Sequence, residues 1–291
     1  MVNCYNPTSL KEALDIIAKE VVTPYAGGTD LMIDPNENPT YLFLNKVSEI
    51  KNIVEDKEFI RIGAACTFTD VIENELTPEI LKEASSQIAA PAIRNLGTIG
   101  GNICNGSPKA DSALIFFATD SKLRLVSNRG ERVIPITEFY LGRKKTTLEK
   151  DELLVEVLMS KNGLNNYYYK KVGERNALAI SRVSFAAILN VDAGKIANCM
   201  TAFGAISDVI IRRANLDAMF IGKTIEEAKG VKEEYLAEYD QAIAPIKGRI
   251  SAKYRKTVCM NLLHDFLESN GIWFYKIKNL VFYIYCVILF R

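Results

Sequence analysis

Two glycine-rich segments set the first constraint on this chain. Ala26–Met32 reads AGGTDLM, and Asn95–Ala113 reads NLGTIGGNICNGSPKADSA, with Gly97, Gly100 and Gly101 close together. Backbone this bare serves a turn with positive φ, or a place where another group comes up against the main chain. Neither segment matches a standard phosphate fingerprint. Gly-x-x-Gly-Gly is not GxGxxG, and GxxxxGK[ST] occurs nowhere in the chain.

The polar neighbours give the bareness a chemical meaning. Successive exposed N–H groups form a nest for an anion, often a phosphate. Thr29, Thr98, Asn102 and Ser107 add neutral hydrogen-bonding groups, while Asp30 and Asp111 can accept from ribose or ribityl hydroxyls or from a ring N–H. Two such segments can grip a pyrophosphate from opposite sides. From the residues alone, a dinucleotide or phosphate-bearing cofactor stands level with a pair of ordinary tight turns.

Composition narrows the chemistry further. The 291 residues are 48% hydrophobic and 24% charged, the balance of a folded globular protein of one large domain or two. A net charge of +1 gives no sign of a nucleic-acid partner or of a strongly acidic one. The six cysteines (Cys4, Cys66, Cys104, Cys199, Cys259, Cys286) form no CxxC pair and no zinc or iron–sulfur spacing, so they read as small hydrophobes. His264 is the only histidine and sits beside a helical stripe, which leaves no Ser-His-Asp or Cys-His apparatus. Redox or group-transfer chemistry would therefore come from a bound cofactor. The start, MVNCYNPTSLKEALDI, has no basic stretch followed by an apolar one; no secretory leader is expected, and the chain is placed in the cytoplasm.

The order of elements suggests α/β units followed by an α+β module. PTSLKEALDIIAKE predicts a helix capped by Thr8 or Ser9, with Leu10, Ala13, Leu14 and Ile17 on one face. Tyr41–Asn45 predicts a strand. After FIRIGAACTF, a helix capped by Thr67 or Thr69 is expected, then another with Thr77 as N-cap and Pro78 at its first position. SKLRLVSNRGERVIPI predicts a hairpin around Asn128-Arg129-Gly130. DELLVEVLM, NYYYKKVG and KIANCMTAFGAI read as strands, SRVSFAAILNV as strand or helix, and two long helices follow. The second of these carries Tyr254, Val258, Leu262, Leu263 and Phe266 at helical spacing. Ser160–Asn166 is the candidate boundary. The last residues, GIWFYKIKNLVFYIYCVILFR, are strongly apolar. Their uninterrupted part, Leu280–Phe290, is shorter than the roughly 20 residues a bilayer requires; a buried strand, an interface strand, an interfacial anchor or an abnormal terminus fits it, and a non-functional or locally packed tail is expected, with no membrane partner.

AGGTDLM, together with IRNLGTIGGNICNGSPKADSA at Ile93–Ala113, resembles the two FAD-binding segments of the flavoprotein (medium) subunit of the molybdenum hydroxylases, the family of xanthine dehydrogenase. FIRIGAACTFTDV, YKKVGERNALAISRVSFAAIL, CMTAFGAI and PIKGRISAKYRKTVCMNLL follow that subunit in the same order, over about residues 1–270. The resemblance implies an α+β chain. A two-part FAD-binding domain of the PCMH type spans 1–160, with α/β subdomains about 1–55 and 56–160. A C-terminal domain of small antiparallel sheet plus helices spans 161–270, and the tail 271–291 has no counterpart. It also implies non-covalent FAD on Ala26, Gly27, Gly28, Thr29, Asp30, Leu31, Thr98, Ile99, Gly100, Gly101, Asn102, Ser107 and Asp111, largely through backbone N–H groups. No catalytic or metal-binding side chain is implied.

Electrons would arrive from an iron–sulfur partner subunit carrying 2Fe-2S clusters. A molybdopterin partner subunit would oxidise the substrate, a purine in the xanthine type, and NAD+ would be the acceptor. Gly27-Gly28-Thr29-Asp30 is nearer to the xanthine dehydrogenase type than to the GGHS of carbon monoxide dehydrogenases. Flavin subunits of nicotinate, aldehyde or carbon monoxide dehydrogenases, a self-sufficient flavoprotein oxidoreductase and a non-catalytic assembly protein are the competing readings.

Overall fold

The fold is described from a computed structural model, over residues 3–33, 35, 39–161, 163–175, 177–248 and 250–273. The apolar tail from residue 274 onward lies outside the described residues. At the N-terminus, helix Leu10–Ile17 starts at Ser9, whose side chain accepts from the Glu12 N–H, and it buries Ala13, Leu14 and Ile17. That face covers a three-stranded parallel sheet in the order Asn3–Tyr5, Thr40–Phe43, Thr23–Tyr25. The first glycine segment leaves the end of Thr23–Tyr25.

The second unit is an antiparallel five-stranded sheet in the order Ile53–Glu55, Phe59–Gly63, Leu153–Ser160, Lys122–Ser127, Gly130–Pro135. Leu153–Ser160 returns after the hairpin to become its central strand. Helix Phe68–Glu73 is capped by Thr67 in a full capping box with Asp70. The next helix departs from expectation. It runs Glu79–Ser86 with Pro78 itself as the cap residue, its carbonyl accepting from Leu81 and Lys82, while the Thr77 side chain is buried without a hydrogen bond. Proline's fixed φ and extended ψ place it one step outside the helix, and Thr77 packs inward.

SRVSFAAILNV resolves as a strand, Val183–Asp192, in an antiparallel four-stranded sheet with Tyr167–Val172, Lys195–Gly204 and Ile211–Arg212. Both faces of this sheet are covered, which explains its nearly continuous apolar text. Phe185, Ala187, Leu189 and Phe203 face helices Ile225–Ala242 and Ala252–Ser269. Along the last helix the buried residues are Arg255, Cys259, Leu263, Phe266 and Leu267; Tyr254 is exposed, so the stripe is shifted from the one expected. Ala186, Ile188, Met200 and Ala202 face the other way, into the largest core, where they meet helix Asp111–Ala118.

That helix is buried all round, as a helix lying between two apolar layers must be. Phe116 and Phe117 alone contribute about 1.5–3 kcal/mol each by burial. Each end of the helix is tied ionically to the C-terminal sheet. Asp111 pairs with Lys171 at 2.7 Å, and Asp120, just past the other end, pairs with Arg212 at 2.9 Å.

Candidate functional site

The first glycine segment turns at Gly28, whose φ of +69° favours glycine. The Met32 N–H then donates to the Gly28 carbonyl at 2.9 Å, and a short 3-10 helix, Leu31–Ile33, follows. A Cβ on Gly27 would overlap the Leu96 carbonyl oxygen and lie 3.0 Å from the Gly97 nitrogen, so the two glycine segments touch backbone to backbone. Asn105 adds a side-chain link, its Nδ2 donating to Asp30 Oδ2 at 2.8 Å. Among the described residues, none accepts a hydrogen bond from the backbone N–H groups of Gly27, Gly28, Thr29 or Asp30. Ala26 and Leu31 flank these donors and are half-buried.

The second segment is not a bare loop. Thr98 caps a six-residue helix, Ile99–Cys104, by accepting from the Gly101 N–H at 3.1 Å. Ile99 donates to the Cys66 carbonyl at 3.0 Å, Gly100 to the Ala64 carbonyl at 2.7 Å, and Asn102 to the Thr98 carbonyl at 3.0 Å. The expectation that Thr98–Asn102 offers a run of N–H groups to a ligand therefore narrows. Only the Thr98 N–H has no acceptor among the described residues.

The glycines here serve packing. A Cβ on Gly100 would lie 2.7 Å from the Ala64 Cβ, and one on Gly97 would lie 3.0 Å from the Phe68 ring. Gly101 is exposed, and its Cβ would meet only Thr98 Oγ1, at 2.9 Å.

Ser107 and Asp111 lie beyond this helix. Ser107 Oγ accepts from the Lys109 N–H at 3.2 Å, and the Asn102 side chain accepts from Ser112 Oγ at 2.7 Å. Asp111 turns toward the C-terminal sheet. Its two oxygens accept from Ser181 Oγ at 2.6 Å and Lys171 Nζ at 2.7 Å. Burial pushes its carboxyl upward, and the Lys171 charge with the two hydrogen bonds opposes that shift. In this structure Asp111 bridges the layers.

A cavity of about 590 Å³ opens beside this bridge, between Ser86–Arg94 and the segment after Tyr167–Val172. Its charged lining is Arg94, Lys171, Glu174 and Arg175. Cys104 packs against the main core, and burial pushes its thiol up to about 12, which suits a wall residue rather than a nucleophile. His264 is half-buried on the last helix, in neither glycine segment. Among the described residues no three His, Cys, Asp or Glu side chains stand together as metal ligands.

The residues that sequence reasoning missed are Leu96 and Asn105, which join the two segments, and Lys171 and Ser181, which hold Asp111. Asn105 stood inside the quoted stretch. Lys171 and Ser181 carried no local signal, since only the sheet topology brings them to Asp111.

The uncommitted N–H groups of Gly27–Asp30, together with the Thr98 hydroxyl, form a neutral, backbone-rich donor set. It fits the pyrophosphate of a dinucleotide. The class of protein is that of a two-subdomain flavoprotein: residues 1–159 match the FAD-binding domain in molybdopterin dehydrogenase, and 167–270 match the CO dehydrogenase flavoprotein C-terminal domain. The chain is 33% identical to a xanthine dehydrogenase FAD-binding subunit of Escherichia coli O157:H7, over 92% of this chain and 96% of that one. It is 32% identical to a nicotinate dehydrogenase FAD-subunit of Eubacterium barkeri, over 65% and 68%. Its fold superposes on a CO dehydrogenase chain from Oligotropha carboxidovorans with a TM-score of 0.83, at 23% identity, covering 92% and 96%. The chain belongs to the FAD-binding medium subunits of the molybdenum hydroxylase family.

Proposed function

We propose that this chain carries non-covalent FAD between its two glycine segments. In a complex of the xanthine or purine dehydrogenase type, it takes electrons from an iron–sulfur subunit and delivers them to NAD+. The observation that carries the reading is the unpaired run of backbone donors at Gly27–Asp30, pressed against the second segment. The near full-length similarity to a xanthine dehydrogenase FAD-binding subunit supports the purine assignment. When bound, FAD supplies the exchange between single-electron carriers and a two-electron acceptor.

The chain's own residues bind and orient. The N–H groups of Gly27–Asp30 and Thr98 hold the phosphates, and the Thr29 and Thr98 hydroxyls add neutral donors. Gly100, Gly101, Ile99 and Asn102 form the short helix that fixes Thr98 in place. Asn105 holds Asp30. Asp111 and Ser107 set the start of the buried helix, and Lys171 and Ser181 anchor Asp111.

The working division is 1–160 for the flavin domain, with subdomains about 1–55 and 56–160, and 161–270 for the C-terminal domain. Molybdopterin and 2Fe-2S clusters belong to partner subunits. The buried free thiols Cys66, Cys199 and Cys259 support a cytoplasmic setting. A nicotinate dehydrogenase complex is the second reading, favoured by the Eubacterium barkeri relative.

The test is reconstitution of the purified full chain with FAD. Stoichiometric uptake and a bound-flavin spectrum are expected, and a protein that stays colourless overturns the proposal. Anaerobic photoreduction followed by NAD+ should restore the oxidised spectrum; a reduced protein that ignores NAD+ but reacts with ferredoxin overturns the acceptor. Turnover of xanthine or of nicotinate by the assembled complex separates the two substrate readings.

A further inference from the structure

The first glycine segment has beside it a phenol hydroxyl with no described hydrogen bond. Tyr25 ends the strand Thr23–Tyr25, three residues before Gly28. Its ring is held by Tyr41, with centroids 5.4 Å apart and an angle of 72°, and by Phe43, with centroids 4.7 Å apart and an angle of 51°. This packing lays the phenol hydroxyl across Gly28, where any Cβ would overlap it. Gly28 thus needs to be glycine twice over, for its positive φ and for the Tyr25 hydroxyl.

That hydroxyl shares a hydrogen bond with no described group, although Tyr25 is half-buried. Its neighbour in the same aromatic cluster differs: the Tyr41 hydroxyl meets Met32 Sδ at 3.8 Å. The hydroxyl is open to solvent, and a phenol hydroxyl that a bound ligand covers normally finds a partner in it. Beside it lie the unpaired N–H groups of Gly27, Gly28, Thr29 and Asp30, and Ala26–Ile33 holds no Lys or Arg. An anion bound there is stabilised by neutral donors alone, with the Asp30 carboxylate in the same segment, so each added O–H matters.

We propose that the Tyr25 hydroxyl is a further donor to the phosphate groups held by the first glycine segment. The ring cluster of Tyr41 and Phe43 acts as its mount. The inference rests on the FAD reading above and adds a residue to the phosphate-binding set.

Tyr25→Phe keeps the ring packing and removes only the hydroxyl. The full chain, stripped of flavin, is titrated with FAD, ADP and riboflavin, following fluorescence or heat. The variant should bind FAD and ADP roughly tenfold more weakly, the size of one hydrogen bond to a charged group, and riboflavin as the parent does. Unchanged FAD affinity in the variant overturns the proposal, as does an equal loss for riboflavin. A second reading needs no variant: in the parent chain the Tyr25 ring resonances should shift on adding ADP and stay fixed on adding riboflavin, and the reverse pattern also overturns it. A parent chain that takes up no FAD overturns the underlying function, whereas a parent that binds FAD beside an equally competent variant overturns only the role of Tyr25.

Discussion

The two glycine segments read alike as text and work differently as structure. At Ala26–Met32, glycine is needed for conformation and for close approach. Gly28 has positive φ, Gly27 abuts the Leu96 carbonyl, and the N–H groups around them are left unpaired. At Gly97–Gly101 the glycines sit in or beside a short helix, and the backbone donors after Thr98 are spent inside the protein. Gly100 brings that helix onto Ala64, and its N–H anchors there. One segment presents donors; the other is the platform against which they are set. Glycine content alone does not separate these roles, because it records only a missing Cβ and not what fills the space.

Substitutions can break this contrast, starting with the largest effect. Gly27→Val should push the two segments apart and destabilise the chain by about 3 kcal/mol or more, because the new side chain meets backbone that cannot swing away. The purified variant should lose its flavin, read as the ratio of flavin to protein absorbance. Gly100→Ala should cost about 1–3 kcal/mol in urea unfolding, since Ala64 must shift, yet the folded fraction should keep FAD. Gly101→Ala, one residue away, should cost less than about 1 kcal/mol: its Cβ crowds only the Thr98 hydroxyl, and alanine favours the helix. Equal losses at Gly100 and Gly101 would erase the distinction drawn within the second segment. Asn105→Ala should have the smallest effect, about 0.5–1.5 kcal/mol of FAD affinity through freeing Asp30, visible in a fluorescence titration.

Much of the fold was legible because it rests on local chemistry. The Ser9 and Thr67 caps, the Asn128-Arg129-Gly130 hairpin and the antiparallel character of the later strands follow from short patterns. SRVSFAAILNV stayed ambiguous because a strand covered on both faces loses the alternation that marks a strand. Thr77 misled because Thr-Pro is a common helix start, and here Thr77 is drawn into the core instead. In the site, the two glycine segments were visible as candidates. The bridge from Asp111 to Lys171 and Ser181 was not, since it spans 60 and 70 residues and depends on how the buried helix packs on the C-terminal sheet.

The wholly buried helix Asp111–Ala118 has a consequence for synthesis. Its covering layer ends with Lys195–Gly204 and Ile211–Arg212, so the ribosome must add about 90 more residues before the helix is enclosed. At roughly 5–20 residues per second, LIFFA stays uncovered for on the order of ten seconds. A nascent chain halted in that interval carries a finished pair of glycine segments on a sticky, half-built body. It is then a substrate for chaperones before it is a carrier of electrons.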